Sequence, residues 1–263
     1  MRNNNIITVL FVADIVGKPG LRITRKYIPE IKAEHQVDFC IANGENGAGG
    51  KGITEKLARE YFELGIDAIT SGNHIFEKAN VFKQLADERR LLRPLNYPPT
   101  NPGHGTYIAT LQDNVRIAVM NIQGRTFMYS IDCPFRTISE ELNKINEVTK
   151  IIIVDFHAEA TAEKMAMGWY LDGKVSAVIG THTHIQTADE RILTKGTGYI
   201  TDAGMTGPYD SVIGLKKEIA IKRFVNQTPS FYQVADNDVR FCGVLLKIEK
   251  NTGKTLHIQR IFY

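Results

Sequence analysis

Hydrophobic residues in the first third of the chain form short runs that alternate with amphipathic segments. Residues 6–13 are apolar and largely β-branched, which is typical of a strand buried on both faces. Leu57, Tyr61 and Leu64 repeat at i, i+4 and i+7, as on one face of a helix that starts near Thr54. This alternation indicates parallel βαβ units. The predicted strands here are residues 6–13, 37–42 and 66–70, and the predicted helices are the segment after Thr54, residues 76–88, and residues 21–34, which follow a loop containing Pro19 and Gly20.

Hairpins join this pattern in the rest of the chain. Turn-forming residues at 113–114, 195–196 and 251–253 each separate two short runs, which predicts antiparallel pairs. A single open sheet of roughly ten strands tends to split into two packed sheets. The sequence therefore predicts one domain over residues 1–263 with an α/β fold, in which two packed mixed β-sheets are flanked by helices in four layers, α/β/β/α. The later predicted strands are residues 106–111, 115–122, 151–156, 175–179, 191–193, 199–201, 239–248 and 255–262, and the later helices are residues 139–148, 161–171 and 215–225.

Composition narrows the class of protein. Hydrophobic residues make up 43% and charged residues 23% of the 263 positions, as in an ordinary globular protein. The formal net charge of +3 gives no electrostatic reason to expect binding to duplex DNA or to an acidic membrane. Three widely spaced cysteines without a C-x-x-C motif fit a reducing compartment. No run approaches the ~18 apolar residues of a membrane span, and no signal-peptide cleavage motif follows residues 6–13, so we expect a cytoplasmic protein.

Polar side chains with nitrogen or oxygen donors follow five of the predicted strands, at the point where each strand ends. Ligands bind at the carboxyl ends of strands in open α/β sheets, so these side chains are expected to meet there. Carboxylates, amides and imidazoles together suit manganese, iron or zinc. They are too many for one ion, but they suit two ions that share a bridging carboxylate. The residues are Asp14, Glu45, Asn46, Asn73, His74, His157, His182 and His184.

Each residue also has an ordinary structural interpretation. Asp14 fits a turn cap, Glu45 a solvated loop charge, Asn73 the N-cap of the helix at 76–88, and His157 a core histidine. The pair His182 and His184 is harder to explain in this way, because an i, i+2 spacing in an extended segment places both imidazoles on one face.

Residues 47–52 satisfy the pattern G-x-G-x-x-G between a strand and a helix, which resembles a dinucleotide-binding loop. The loop follows the second strand rather than the first, and Glu45 would place a negative charge near a pyrophosphate. A phosphate-binding P-loop is excluded, because Gly52 follows Lys51 where Ser or Thr is needed. We expect these glycines to let the backbone pass close to bound substrate instead.

The motifs around these residues resemble the metallophosphoesterase superfamily signature, D…G-[DE]…G-N-H…H…G-H-x-H. The tracts FVADIVGKPG, ANGEN, SGNH, FHAEAT, GTHTH and TDAGMTGP are similar to those of the bacterial YmdB-like proteins over nearly the whole chain. That resemblance implies a 2′,3′-cyclic-nucleotide 2′-phosphodiesterase that uses two metal ions. It further implies that Asp14, Glu45, Asn46 and His184 hold one ion, that Glu45 bridges, and that Asn73, His157 and His182 complete the second.

The resemblance also implies that His74 acts as a catalytic acid and is not a ligand. Val16 stands where the wider superfamily has a histidine ligand, and Asn46 is its natural replacement. The first site is then rich in oxygen, which favours iron or manganese over zinc. The expected substrate is a small cyclic nucleotide or phosphodiester, and the resemblance makes a homo-oligomer plausible. Two alternatives stay open: a regulatory nucleotide- or metal-binding protein with incidental activity, and a nuclease or phosphatase on the same scaffold.

Overall fold

A computed structural model of the chain describes residues 5–263. Its helices are α1 (Gly17–His35), α2 (Glu55–Glu63), α3 (Val81–Asp87), α4 (Pro134–Ile145), α5 (Thr161–Leu171) and α6 (Lys217–Asn226), with a 3₁₀ turn at Gln112–Asn114. Its strands are β1 (Ile6–Val12), β2 (Asp14–Ile15), β3 (Phe39–Asn43), β4 (Ala68–Thr70), β5 (Thr106–Thr110), β6 (Arg116–Gln123), β7 (Ile151–His157), β8 (Ala177–Thr181), β9 (Arg191–Ile192), β10 (Gly198–Ile200), β11 (Met205–Pro208), β12 (Val239–Arg240), β13 (Cys242–Glu249) and β14 (Thr255–Phe262).

The strands form two large mixed sheets and one small sheet. The first has the order β14–β13–β1–β3–β4, in which β1, β3 and β4 are parallel. The second has the order β5–β6–β7–β8–β10–β9, in which the four central strands are parallel and the edge strands are antiparallel. A small sheet, β12–β11–β2, lies beside them. The predicted hairpins at β5–β6, β9–β10 and β13–β14 are all present, although β10 also pairs with β8.

Three buried apolar clusters separate the layers of the fold. Phe11 of β1 and Ile153 of β7 belong to the cluster between the two large sheets. Ile28 of α1 belongs to the cluster on the outer face of the first sheet, and Met167 of α5 to the one on the outer face of the second. Helices therefore cover both outer faces, and the predicted α/β/β/α sandwich of two packed mixed β-sheets is confirmed.

Several predicted boundaries were wrong. Helix α1 begins at Gly17, four residues before the predicted start, because proline is tolerated in the first turn, where its missing N–H has no partner to lose. Helix α4 begins at Pro134 for the same reason. The helix predicted over residues 76–88 is limited to Val81–Asp87, since residues 74–80 form turns.

The small third sheet was not predicted. The run predicted as one strand over residues 239–248 is divided at Phe241, so that β12 pairs with β11 and β13 pairs with β1. Strand β2 follows β1 after one residue and pairs in parallel with β11, and it places Asp14 against Met205. This pairing fixes the backbone of Asp14 at the carboxyl edge of the first sheet.

No helix among residues 5–263 combines the length and the apolar character needed to cross a membrane. The single domain predicted for residues 1–263 stays a prediction, and its first four residues lie outside the part of the chain that the structure describes.

Candidate metal centre

The layer between the two large sheets changes from apolar to polar toward the carboxyl ends of the strands. Residues paired in register on parallel strands point to the same face, and alternate residues of each strand point into this layer. The carboxyl ends of both sheets therefore bring polar groups into a shared buried region. The inward positions run from Ile117 and Val119 to Asn121 and Gln123 on β6, from Ile151 and Ile153 to Asp155 and His157 on β7, and from Phe39 and Ile41 to Asn43 on β3.

One group of candidate ligand atoms converges on the ring of His157, which is completely buried. Its Nε2 atom lies 2.9 Å from Oδ1 of Asn73, 3.0 Å from Nδ1 of His182 and 3.0 Å from Oε1 of Glu45. An imidazole nitrogen has one position to donate or accept, so it cannot satisfy three such neighbours at once. Glu45, His157 and His182 each offer an atom within 4.8 Å of the others, an arrangement that suits a shared cation.

A second group forms around His184. Its Nδ1 atom donates to the carbonyl oxygen of Ile213 at 2.9 Å, which leaves the lone pair on Nε2. That Nε2 atom lies 3.1 Å from Nδ2 of Asn46 and 3.5 Å from Oδ2 of Asp14. The other carboxylate oxygen of Asp14 is buried and has no hydrogen-bond partner among residues 5–263. A buried oxygen of this kind is costly unless a ligand completes it.

Glu45 belongs to the group around His157, and it directly precedes Asn46 of the second group. Its Oε1 atom faces His157, and its Oε2 atom accepts the backbone N–H of His74 at 2.9 Å. Burial alone would raise the pKa of Glu45, but His157 and then His74 lower it to about 2. Burial raises the pKa of Asp14, and the negative charge of Glu45 adds to that rise. Burial lowers the pKa of His184, and the charge of Glu45 opposes that fall.

The electrostatics of the region favour a bound cation. Burial, followed by the charges of Asp202, Asp155 and Glu45, raises the pKa of Asp14 well above its usual value. Burial and then His157 lower the pKa of His182 to about 2. Histidine ligates metals through a neutral imidazole, and aspartate and glutamate ligate them as ionised carboxylates. A cation would compensate the negative charge and the unpartnered oxygen of Asp14, so the residues fit a metal centre.

The comparisons with known proteins give the family. The model of the YmdB-like proteins matches residues 10–261.

The chain belongs to the YmdB-like protein family.

Its relatives resemble it over nearly their whole length. The 2′,3′-cyclic-nucleotide 2′-phosphodiesterase of Bacillus subtilis is 47% identical to it over 254 residues, 96% of each chain. The crystal structure of a hypothetical protein from Thermus thermophilus matches with a TM-score of 0.91 at 38% identity, covering 98% of this chain and 99% of the other. That of a protein from Mycoplasma pneumoniae described as a novel phosphatase matches with a TM-score of 0.92 at 34% identity, covering 100% and 94%.

In this YmdB-like protein, the two histidines that follow β8 do not lie on one extended face. His182 has φ 101° and His184 has φ 65°, both in the left-handed region. The strand ends at Thr181, and the bend after it sends His182 to the group around His157 and His184 to the group around Asp14. The expectation of an extended i, i+2 pair was therefore wrong, because the bend, not the pleat, sets the two directions.

The bend is held by a buried ion pair that the sequence did not indicate. Asp202 accepts both the backbone N–H of Thr183 at 3.1 Å and its hydroxyl at 2.8 Å. The same carboxylate lies 2.6 Å from Nζ of Lys164, and both side chains are 1% exposed. Helix α5 thus fixes the residue that separates His182 from His184.

A hydrogen-bonded chain orients His157 from behind. Its Nδ1 atom contacts the hydroxyl of Thr181 at 2.9 Å, and that hydroxyl donates to Asp155 at 2.6 Å. Nδ2 of Asn43 donates to the other oxygen of Asp155 at 3.0 Å. Sequence reasoning missed this role for Asp155, although an acidic residue inside the buried run of β7 was a visible signal.

Glu159 is a second residue that sequence reasoning missed. Its Oε2 atom lies 3.0 Å from Nε2 of His182, the ring nitrogen that points away from His157. Carboxylates in this position hold the ring of a ligating histidine and raise its basicity.

His74 lies beside the cluster but is not part of either group. Its backbone N–H reaches Glu45, while its Nδ1 atom contacts Oε1 of Glu77 at 3.3 Å. The side chain is 22% exposed, so a molecule in solvent can reach it. Asn73 does not cap a helix, since α3 begins only at Val81.

Two glycines near the cluster are explained by close packing. A Cβ atom on Gly72 would lie 2.0 Å from the ring of His157, so the residue before Asn73 must lack a side chain. In the glycine-rich loop, Gly50 has φ +96°, and a Cβ atom there would lie 2.1 Å from the ring of Tyr232. This glycine makes room for a side chain of the protein itself.

Proposed function

We propose that this YmdB-like protein hydrolyses 2′,3′-cyclic nucleotides at the 2′ ester, for example 2′,3′-cyclic AMP to 3′-AMP. The observation that carries the proposal is the presence of two buried groups of candidate ligands, one formed by Glu45, His157 and His182 and the other by Asp14 and His184. The 47% identical relative named 2′,3′-cyclic-nucleotide 2′-phosphodiesterase supports the substrate class. The predicted enzyme class, a phosphoric diester hydrolase, is confirmed at that level by the same relative and the family.

The assignment of ligands follows the two groups. Asp14, Asn46 and His184 would hold one ion, with Glu45 shared between the two ions. Asn73, His157 and His182 would complete the second. The oxygen-rich first group favours iron or manganese over zinc. When bound, two such ions lower the pKa of water and neutralise charge on the phosphoryl oxygens.

The chain itself supplies the proton for the leaving group. Glu45 accepts the backbone N–H of His74, and Glu77 contacts its Nδ1 atom, so Nε2 is the ring nitrogen that would face a substrate. The contact with Glu77 orients the imidazole ring. His74 then protonates the ribose 2′ oxygen as the ester breaks, a contribution of roughly 10²–10⁴-fold in rate.

Two variants separate metal binding from proton transfer. We expect Glu45→Ala to lose bound metal and activity together, because it removes the shared carboxylate. His74→Ala is expected to keep the metal and lose at least a hundredfold in turnover. The measurement is 2′,3′-cyclic AMP hydrolysis with chromatographic identification of the product, and metal content determined on the same samples.

Several results would contradict the proposal. If metal-loaded wild type leaves cyclic nucleotides and simple phosphodiesters intact, a regulatory nucleotide- or metal-binding protein becomes the better interpretation. If it cleaves oligoribonucleotides or phosphomonoesters but not cyclic nucleotides, a nuclease or phosphatase becomes the better interpretation. If His74→Ala loses metal as fully as Glu45→Ala, His74 is a ligand and not the acid.

A further inference from the structure

Aromatic side chains continue outward from His74. Phe76 follows it by two residues, and the ring of Tyr97 packs edge-on against Phe76 with centroids 5.7 Å apart. The Tyr97 hydroxyl donates to Oε1 of Gln123 at 3.1 Å. Burial, followed by the charges of Glu45 and Tyr129, raises the pKa of Tyr97 to about 12. Tyr97 therefore connects Phe76, close to His74 in the chain, with Gln123 at the end of β6.

Gln123 ends β6 in register with His157, so its side chain lies on the same face of the sheet as that ligand. Asn96 holds its backbone from both sides, accepting its N–H at 3.0 Å and donating to its carbonyl at 2.8 Å. The side chain is completely buried, and its Nε2 atom has no hydrogen-bond partner among residues 5–263. A donor left unpaired in this way costs free energy that an acceptor on a bound molecule would recover.

Residues 124–132 form a loop that is fixed to the site at both ends. Gly124 donates its N–H to the carbonyl oxygen of His157 at 2.9 Å, and Asn96 donates to the carbonyl of Asp132 at 3.0 Å. The carboxylate of Glu163 accepts the backbone N–H groups of Arg125 and Thr126 at 3.1 and 3.2 Å. These contacts hold the loop beside the metal centre.

The loop presents two aromatic rings to solvent. Phe127 is 88% exposed and Tyr129 is 68% exposed. Phe127 also has φ +60°, a conformation that is strained for a bulky side chain and persists only where the surroundings impose it. Neither ring serves the core, and both lie on a loop anchored to the backbone of His157.

We propose that loop 124–132 is the nucleobase subsite, in which Tyr129 and Phe127 stack on the base and Gln123 offers its unpaired amide to the bound nucleotide. This inference rests on the proposed function. If His74 protonates the departing 2′ oxygen, the nucleoside must lie near His74, and Phe76 and Tyr97 connect His74 with Gln123, the residue directly before this loop. Stacking tolerates any base, because every base has a π-face, so the subsite accepts all four nucleotides.

The test compares a nucleotide with the same cyclic ester lacking a base. The substrates are 2′,3′-cyclic AMP and methyl ribofuranoside 2,3-cyclic phosphate, and the variant is Phe127→Ala/Tyr129→Ala. We expect KM for cyclic AMP to rise about 10-fold or more while kcat stays within twofold. The kinetics of the base-free ester should be unchanged. Trp169→Ala, which removes a half-exposed ring near the end of α5, is the matched control and should leave both substrates unaffected.

Binding of the products distinguishes failure of the subsite from failure of the proposed function. The binding affinities of 3′-AMP and methyl ribofuranoside 3-phosphate should be measured by calorimetry on the same metal-loaded proteins. If wild type hydrolyses both esters with equal KM, or if the double variant affects them equally, the subsite is overturned and the phosphodiesterase stands. If wild type is inert but binds 3′-AMP in a loop-dependent way, the subsite stands and the proposed activity falls. If it neither hydrolyses nor binds them, both fall.

Discussion

Lys164 illustrates how one residue outside the predicted set supports the centre. Its ammonium group is buried against Asp202, which holds the bend between the two histidines. We expect Lys164→Met to lower the free energy of unfolding by about 3–5 kcal/mol, because it leaves a buried carboxylate without its partner. Urea denaturation measures the change. Lys144→Met removes an exposed ion pair with Glu141 and should cost at most about 1 kcal/mol. If both variants lose the same free energy of unfolding, the buried ion pair contributes no more to stability than the exposed one.

Glu159 permits a second test at the residue scale. Since its carboxylate contacts the outer nitrogen of His182, Glu159→Gln should weaken metal binding about 10–100-fold without unfolding the protein. Manganese affinity by chelator competition is the measurement. Glu140→Gln alters an exposed glutamate near Arg136 on α4 and serves as the control. An unchanged manganese affinity in Glu159→Gln would mean that the carboxylate does not support the ligand.

At the scale of elements, helix α1 packs against the small third sheet through a glycine. Replacing a helical glycine by alanine usually stabilises a protein by about 1 kcal/mol. At Gly20 the added Cβ would lie 2.5 Å from the carbonyl oxygen of Thr206 in β11. We therefore expect the opposite sign, a loss of about 1–3 kcal/mol. Thermal or urea unfolding of Gly20→Ala tests it, with the exposed neighbour Lys18→Ala as the control; stabilisation by Gly20→Ala would contradict the close packing.

At the scale of the whole molecule, burial should divide the thiols into two classes. Burial raises the pKa of Cys40 to about 12 and that of Cys242 to about 11, while Cys133 is partly exposed. Because Cys133 is accessible in the folded protein, a disulfide reagent should modify it at once and the other two thiols only after unfolding. Rapid modification of all three would contradict this burial.

The same two thiols, Cys40 and Cys242, should make the free energy of unfolding depend on pH in alkaline solution. Below pH ~8.5 both are protonated in the folded and unfolded chains, and their contribution to stability is fully present. As the pH rises toward 11–12, only the unfolded chain ionises freely, so the free energy of unfolding falls. Denaturant titrations at pH 8 and pH 10 should show this loss, and a Cys40→Ala/Cys242→Ala variant should show less of it.

The cytoplasmic location, the homo-oligomer and the absence of duplex DNA binding stay predictions.

Short-range patterns determined most of the fold from the sequence. The apolar runs of β1 and β7 indicate buried strands wherever they occur, and a hydroxyl before an amphipathic segment marks a helix start, as Thr54 does by accepting the N–H of Leu57 at 3.3 Å. Strand ends share one edge of a parallel sheet, so the positions of Asp14, Glu45 and His157 indicated a common site before any contact was known.

Only the tertiary structure decided how those residues are divided and supported. The bend after Thr181 sends His182 and His184 to different groups, and Lys164, 38 residues from Asp202, fixes that bend. Loop 124–132 lies beside His157 because Asn96 and Glu163 hold it there. These contacts join distant segments through single hydrogen bonds and ion pairs, which leave no periodic signal in the sequence. The local pattern therefore specifies the edge where the chemistry takes place, and long-range contacts specify the direction in which each side chain points.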